Sequence, residues 1–240
     1  MRYSLLTEGN VKTLKGQKKG YYSVILHFAP SMVSGYQVCP MASAGCIATC
    51  LNTAGRGGMF KAGETTNSIQ EARKRRTRMF FEQRAAFMAL LVQDIKRAEK
   101  RAAKLDMTLT VRLNGTSDLP WEKFRVGEHR NIMACFPHIQ FYDYTKIHHR
   151  VLSNAMPSNY HLTFSMSETN QPMARALRGL GYNVTVVCTK EVKTQALTQP
   201  NVIDGDETDL RFLDGNGKII LLSAKGRAKK DTTGFVVRSY

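Results

Sequence analysis

Ser23-Val-Ile-Leu-His-Phe-Ala29, followed by Ser34-Gly-Tyr-Gln-Val-Cys39-Pro-Met-Ala-Ser-Ala-Gly45-Cys46-Ile-Ala-Thr-Cys50, is the stretch on which the reading of this chain turns. The apolar run predicts a first strand over residues 22–29. Cys39, Cys46 and Cys50 sit in the loop that leaves it. Thiolates favour zinc and iron–sulfur clusters over hard cations. Three ligands leave one coordination position open, and an open position is where chemistry happens. Gly35, Gly45, Gly55, Gly57 and Gly58 allow the backbone to fold closely around such a group.

Further strands are expected at Leu109-Thr-Val-Arg-Leu-Asn114, Ile139-Gln-Phe-Tyr-Asp-Tyr144, His161-Leu-Thr-Phe-Ser-Met166 and Asn183-Val-Thr-Val-Val-Cys188. Helical segments separate them. A long helix is expected over residues 68–104, opened by Ser68 and Glu71 as a capping box. Phe80, Phe81, Phe87, Met88, Leu91, Val92 and Ile95 recur along it at helical spacing. A second helix over residues 173–180 would close at Gly181. Strands alternating with helices predict a parallel sheet with right-handed crossovers. Leu210-Arg-Phe-Leu-Asp-Gly-Asn-Gly-Lys-Ile-Ile-Leu-Leu222 reads as a hairpin with a glycine-rich turn. The expected fold class is therefore α/β, a partial parallel (β/α) barrel with a C-terminal β-hairpin addition. One domain would span residues 1–240. It would comprise a basic N-terminal arm (1–20, with Lys12, Lys15, Lys18 and Lys19), a β/α core (21–190), and a hairpin and basic tail (200–240).

Polar residues gather at the expected carboxyl ends of the strands. Asn114 and Asp118 follow the second, Asp143, Thr145 and Lys146 the third, and Ser165, Ser167 and Glu168 the fourth. In parallel β/α folds that edge carries the active site, and the cysteine loop falls on it too.

This order of elements, over roughly residues 22–188, resembles the radical S-adenosylmethionine superfamily. The resemblance implies a three-cysteine loop after the first strand binding a [4Fe-4S] cluster. Cys39, Cys46 and Cys50 would be the metal ligands, with S-adenosylmethionine on the remaining iron. Asn114, Ser117, Asp118 and Ser165 would bind that cofactor, with Lys146 and Glu168 as catalytic residues of the pocket wall. The spacing C-x6-C-x3-C is wider in both gaps than that superfamily's common C-x3-C-x2-C. Residues 39–46, 111–118, 141–146 and 202–209 also resemble an uncharacterised phage-encoded family, which implies a phage origin and no particular activity.

The formal net charge of +16 over 240 residues points to nucleic acid or a nucleotide as partner. Arg73, Arg75 and Arg76, with Lys74 and Arg78, crowd the first turns of the long helix, where cations oppose the helix dipole. Lys225, Arg227 and Lys229 form a second basic run able to grip phosphates. Tyr142 and Tyr144 share one strand face and would either stack on bases or pack. Five cysteines, an odd number with three crowded together, argue for a reducing compartment rather than a disulfide scaffold. With neither a signal peptide nor a membrane span in view, a cytoplasmic location is expected.

Other chemistries remain open at this stage. Zinc is the alternative metal, with His27, Cys135 or Cys188 completing a closed structural site. Cys135 and Cys188 otherwise read as small buried hydrophobes. Asp204, Asp206, Glu207 and Asp209 are either a divalent-metal site for phosphodiester cleavage or a polar turn around Gly205. His148-His149 does not fit a metal-dependent replication initiator, because adjacent strand residues face opposite sides. No phosphate-binding G-x-x-x-x-G-K-[ST] loop and no H-E-x-x-H helix occurs.

Overall fold

A computed structural model describes residues 4–8 and 11–239. In chain order the elements are β1 (Leu6–Thr7), α1 (Val11–Gln17), β2 (Tyr21–Leu26), α2 (Ala44–Ala48), α3 (Ser68–Glu82), α4 (Arg84–Lys104), β3 (Thr108–Arg112) and α5 (Ile132–Cys135). Then follow β4 (Gln140–Thr145), α6 (His148–Val151), β5 (Tyr160–Ser165), α7 (Gln171–Gly179), β6 (Val184–Cys188), α8 (Lys190–Ala196), β7 (Val202–Asp204) and β8 (Ile219–Ser223). The strands form one sheet in the order β1-β2-β3-β4-β5-β6-β8-β7. Among the described strands, β1 runs antiparallel to β2 and every other pairing is parallel. The fold is thus mixed α/β around an eight-stranded, mostly parallel sheet. No strand pairing joins β1 to β7 among the described residues. The two edges are nevertheless tied, because Lys12 Nζ donates to Gly205 O at 2.8 Å and Lys15 Nζ to Asp206 O at 2.9 Å.

Side chains alternate along each strand, and the two faces of the sheet differ in chemistry. Val24, Leu26, Leu109, Val111 and Phe141 join Phe80 of α3 and Phe87, Leu91 and Ile95 of α4 in the main core. Phe164 and Val184 pack with Ala174 and Leu177 of α7. Cys188 and Leu221 pack with Val192 and Ala196 of α8. The residues between them on the strands point the other way and are largely polar. Ser23 and Thr110 share a hydrogen bond at 2.8 Å. Arg112 Nη1 donates to Asp209 Oδ2 at 2.6 Å, and the Tyr144 hydroxyl donates to Asp209 Oδ1 at 3.0 Å. This second face leads up to the functional cavity.

Three expectations are corrected. The residues 68–104 helix is two helices, broken at Gln83, whose φ and ψ of −135° and 51° leave the helical region. The guanidinium of Arg84 lies 3.7 Å from the Phe80 ring centroid and its Nε donates to Phe80 O, filling the corner. The first of the two helices is capped by Asn67, whose Oδ1 accepts from Gln70 N, rather than by Ser68, and Glu71 instead accepts from the Thr66 hydroxyl.

The C-terminal hairpin is absent. Residues 211–213 form a short 3-10 turn, while β8 lies between β6 and β7 and is parallel to both. Leu210 and Arg211 are buried, at 1% and 2% exposure, so the segment expected as the first hairpin strand serves as packing instead. Gly215 and Gly217, at φ of 73° and 68°, turn the chain before β8.

Part of the N-terminal arm, at Leu5 and Leu6, packs into the core. Leu5 is fully buried, its N–H donates to Asp94 Oδ2 at 2.6 Å, and Leu6 pairs with Leu26. Residues 1–3, 9 and 10 of that arm lie outside the described residues.

Candidate functional site

A cavity of about 470 Å³ opens at the carboxyl edge of the sheet. Cys39, Cys46 and Cys50 line it together with Asn114, Ser117 and Asp118 of the loop after β3. Lys146 and Ser165, at the ends of β4 and β5, line it too, as do Arg73, His27 and Thr185.

The cysteine loop is held from several sides. Ser43 Oγ accepts from Cys46 N at 3.2 Å and starts α2 as its N-cap. Glu168, beyond the end of β5, accepts the Ser43 hydroxyl on Oε2 and Gly45 N on Oε1, both at 2.8 Å. A Cβ on Gly45 would lie 2.3 Å from Thr233 Oγ1 and 2.8 Å from Glu168 Oε1 and Phe235 Cβ, so this position has room for no side chain. On the far side, Asn52 Nδ2 donates to Gln70 Oε1, Gln70 Nε2 donates to Asn52 O, and Arg73 Nη1 donates to both Asn52 O and Oδ1. The loop is therefore pinned to α3 and to the loop after β5 at once.

The thiols feel one another. Burial, with smaller contributions from Cys50 and Cys46 and against the Ser31 N–H, pushes Cys39 up to about 12. Burial also raises Cys50, against the pull of an Asn52 N–H and of the nearby charges on Arg73 and Lys146. Among the described residues, no three His, Cys, Asp or Glu side chains already stand as a metal cage. The chemistry of the donor set nevertheless fits a thiolate-bound metal centre. A bound cation would oppose the desolvation and repulsion that raise Cys39 and Cys50.

Asn114 and Asp118 reach the cavity, but their side chains build the loop. Asn114 Oδ1 accepts from the Ser117 hydroxyl, Leu119 N and Trp121 Nε1. Asp118 accepts Lys146 N at 2.8 Å and Arg150 Nη1 at 2.9 Å. Glu168 does not line the cavity; it clamps the cysteine loop from outside. Lys146 Nζ donates to Ser165 Oγ at 2.9 Å and lies 5.5 Å from the Phe235 ring centroid.

The expected basic residues divide between cavity and surface. Arg73 faces the cavity, Arg75 is exposed, and Arg76 Nη2 donates to Ser4 O. Lys225 lies at the cavity rim, paired with Asp206 at 2.8 Å, while Arg227 and Lys229 are exposed on the turn 226–230. That turn packs on residues 51–53, the same segment that Arg73 grips.

The acidic cluster is neutralised by lysines. Asp206 meets Lys193 and Lys225 at 2.8 Å and Lys12 at 3.5 Å, and Asp204 meets Lys193 at 2.5 Å. Cys188 faces the helices and Cys135 packs at the edge of the main core, so neither completes a metal site. His27 does line the cavity. Its Nδ1 meets Thr7 Oγ1 at 3.1 Å, and that hydroxyl already donates to Ile25 O. Nδ1 therefore carries the proton and Nε2 keeps its lone pair. Burial, then Arg73 and Arg112, push this imidazole down to about 3, so it is neutral at pH 7. Tyr142 packs against Phe212, and the Arg112 guanidinium lies over the Tyr144 ring at 4.7 Å from its centroid while the hydroxyl donates to Asp209, so both rings already have partners.

A family model described as Gene product 88 matches residues 4–239. The chain belongs to the Gene product 88 family. The matched region includes every residue of the cavity, from Lys12 to Phe235. Membership agrees with the resemblance to an uncharacterised phage-type family. No curated protein and no solved structure matches the chain. No described helix of this family member is long and apolar enough to cross a membrane.

Sequence reasoning missed Thr185, Phe235 and the cavity position of Arg73. Thr185 was legible in principle, since it lies across from Ser165 on the neighbouring strand. Nothing local marks Phe235, which reaches the cavity only because the C-terminal segment folds back over the sheet edge.

Proposed function

We propose that this cavity is the active centre of a radical-S-adenosylmethionine-like iron–sulfur enzyme of phage origin, built on a partial parallel β/α barrel. One observation carries the reading: all three cysteines of the loop after β2 open on the cavity that also receives the loops after β3 and β4 and the end of β5. Cys39, Cys46 and Cys50 would hold the cluster, and Ser117 with the loop backbone around it would face S-adenosylmethionine. When bound, these groups would supply radical chemistry for hydrogen abstraction. The chain's own residues have other tasks. Arg73 brings positive charge to Cys50 and favours its thiolate. Glu168, Ser43 and Gly45 keep the cysteine loop in one conformation. Phe235 and Leu222 supply an apolar wall that excludes water.

His27 favours a second reading. His27 lines the same cavity as the three cysteines, so on this reading Cys39, Cys46, Cys50 and His27 would be the donors of a structural zinc site, brought together on metal binding. The exposed Arg75, Arg227 and Lys229 would then serve a nucleic-acid-binding protein. Phosphodiester cleavage at Asp204, Asp206 and Glu207 has weaker support, because Asp206 is already engaged by lysines.

Metal and sulfide content of anaerobically purified protein, with its visible spectrum, tests the choice. About four irons with matching sulfide, lost in Cys46→Ala, supports the cluster and calls for a turnover assay with S-adenosylmethionine under reducing conditions. One zinc in a colourless solution supports the second reading. Neither metal, in protein handled without oxygen or chelator, overturns both.

A further inference from the structure

We propose that Lys146, Ser165 and Thr185 form the anion seat of a pocket for a free nucleotide-class phosphomonoester. The proposal goes beyond the cluster reading and does not require it. Ser165 and Thr185 are register partners on β5 and β6, so their side chains share the cavity face. Ser165 Oγ accepts from Lys146, which leaves its own proton free to donate. Thr185 is 2% exposed and its Oγ1 has no hydrogen-bond partner, although the residue lines the cavity. A buried hydroxyl without a partner is costly to leave unmade, and a ligand atom removes that cost. No carboxylate of the described residues is ion-paired with Lys146, so its charge is available to a ligand.

The donors fit phosphate chemistry. A phosphomonoester presents three acceptor oxygens and close to two negative charges, against one ammonium and two hydroxyls here. The three acids that line the cavity are each tied to a cation, Asp118 to Arg150, Asp206 to Lys193 and Lys225, and Asp209 to Arg112, so they do not repel an anion strongly. Beside the seat the wall turns apolar. Val187 lies two residues beyond Thr185 on β6, Leu222 is its register partner on β8, and the Phe235 ring adjoins Lys146. An anionic head next to an apolar, ring-bearing wall is the complement of a nucleotide, with its phosphate on Lys146 and its base against Leu222 and Phe235. The one other source of an anion here is the carboxylate of S-adenosylmethionine.

Calorimetric titration of the full-length, anaerobically purified protein at low salt separates these. The probes are the four ribonucleoside 5′-monophosphates, the matching nucleosides, inorganic phosphate and S-adenosylmethionine. At least one nucleotide is expected to bind about tenfold more tightly than its nucleoside, and inorganic phosphate is expected to compete with it. Lys146→Gln and Thr185→Val are each expected to weaken the nucleotide about tenfold and leave the nucleoside unchanged, whereas Thr185→Ser retains binding. Melting temperatures of the variants near that of the parent exclude a folding defect, and Thr185→Ser keeps the test valid if Thr185→Val does not fold. Failure of all four nucleotides overturns the proposal. Equal binding of nucleotide and nucleoside overturns it too. Displacement of the nucleotide by S-adenosylmethionine, with the same dependence on Lys146 and Thr185, would make the seat the cofactor's and likewise overturn it.

Discussion

The Glu168 carboxylate accepts the backbone N–H of Gly45 at 2.8 Å across more than a hundred residues of chain. Its other oxygen holds Ser43, the N-cap of the short helix that presents Cys46. Glu168 thus ties the carboxyl end of β5 to the cysteine loop and acts on the thiols by positioning the loop.

Removing that clamp should loosen the cysteine loop and, with it, the proposed metal centre. Glu168→Ala is expected to cost about 1.5–3 kcal/mol, the range for hydrogen bonds to a charged group, and to lower the metal content of purified protein. Gly45→Ala should do the same by crowding, at about 1–3 kcal/mol, because its Cβ would meet Thr233, Glu168 and Phe235. Urea midpoints and metal analysis check both; a Gly45→Ala protein with parental stability and metal content would refute the tight fit.

Asp209 and Asp143 should pull stability in opposite directions with pH. Burial alone would raise Asp209, but Arg112, Lys12 and Arg211 outweigh it and hold the carboxyl well below the usual range. Its contribution is therefore present above the ordinary carboxylate pKa near 4 and is lost as pH falls below that. Asp209→Asn, which removes the carboxylate hydrogen-bonded to Arg112 and leaves Asp143 at 3.8 Å, should cost about 1.5–3 kcal/mol at neutral pH and show a weaker acid dependence. Denaturation at pH 7, 5 and 3 measures it.

Burial pushes Asp143 up to about 7, despite Arg112 and the N–H of Asn114. A raised acid favours the folded state below its unfolded pKa near 4, and that advantage fades as pH rises towards 7. Asp143→Asn should flatten stability between pH 4 and 7. An unchanged slope in that window would mean that Asp143 is ionised throughout.

Metal loading should release protons. Cys39 and Cys50 are both raised and therefore protonated at pH 7, whereas metal ligands must be thiolates. Zinc added to metal-free protein in weak buffer with an indicator dye should liberate protons, about one fewer in Cys39→Ser. Loading without acidification would remove Cys39 from the ligand set.

Surface charge gives a separate expectation for nucleic acid. If Arg75, Arg227 and Lys229 contact phosphates, affinity for a single-stranded oligonucleotide should fall steeply with salt. Replacing all three by Gln should reduce that salt slope by about two to three. A slope unchanged by the substitution would assign binding elsewhere.

Local pattern alone determined a good part of this protein. The alternation of apolar strands with helices, the parallel sheet, the strand that delivers the cysteine loop, and the gathering of Lys146, Ser165 and Asp118 at one edge follow from periods of 2 and 3.6, which are written within a few residues. The closing of α7 at Gly181, with φ of 88°, is likewise a local matter. Only the tertiary structure decided the rest. Whether Ile219–Ser223 pairs back on its own turn or inserts between β6 and β7 depends on hydrogen bonds to strands far away in sequence. Whether Glu168 meets substrate or Gly45, and whether Asn114 faces a ligand or Leu119 and Trp121, depends on which backbone groups the folded loops leave without partners. Propensity and alternation describe a residue's own segment. The partner that satisfies a buried polar group is chosen by the packing of the whole chain.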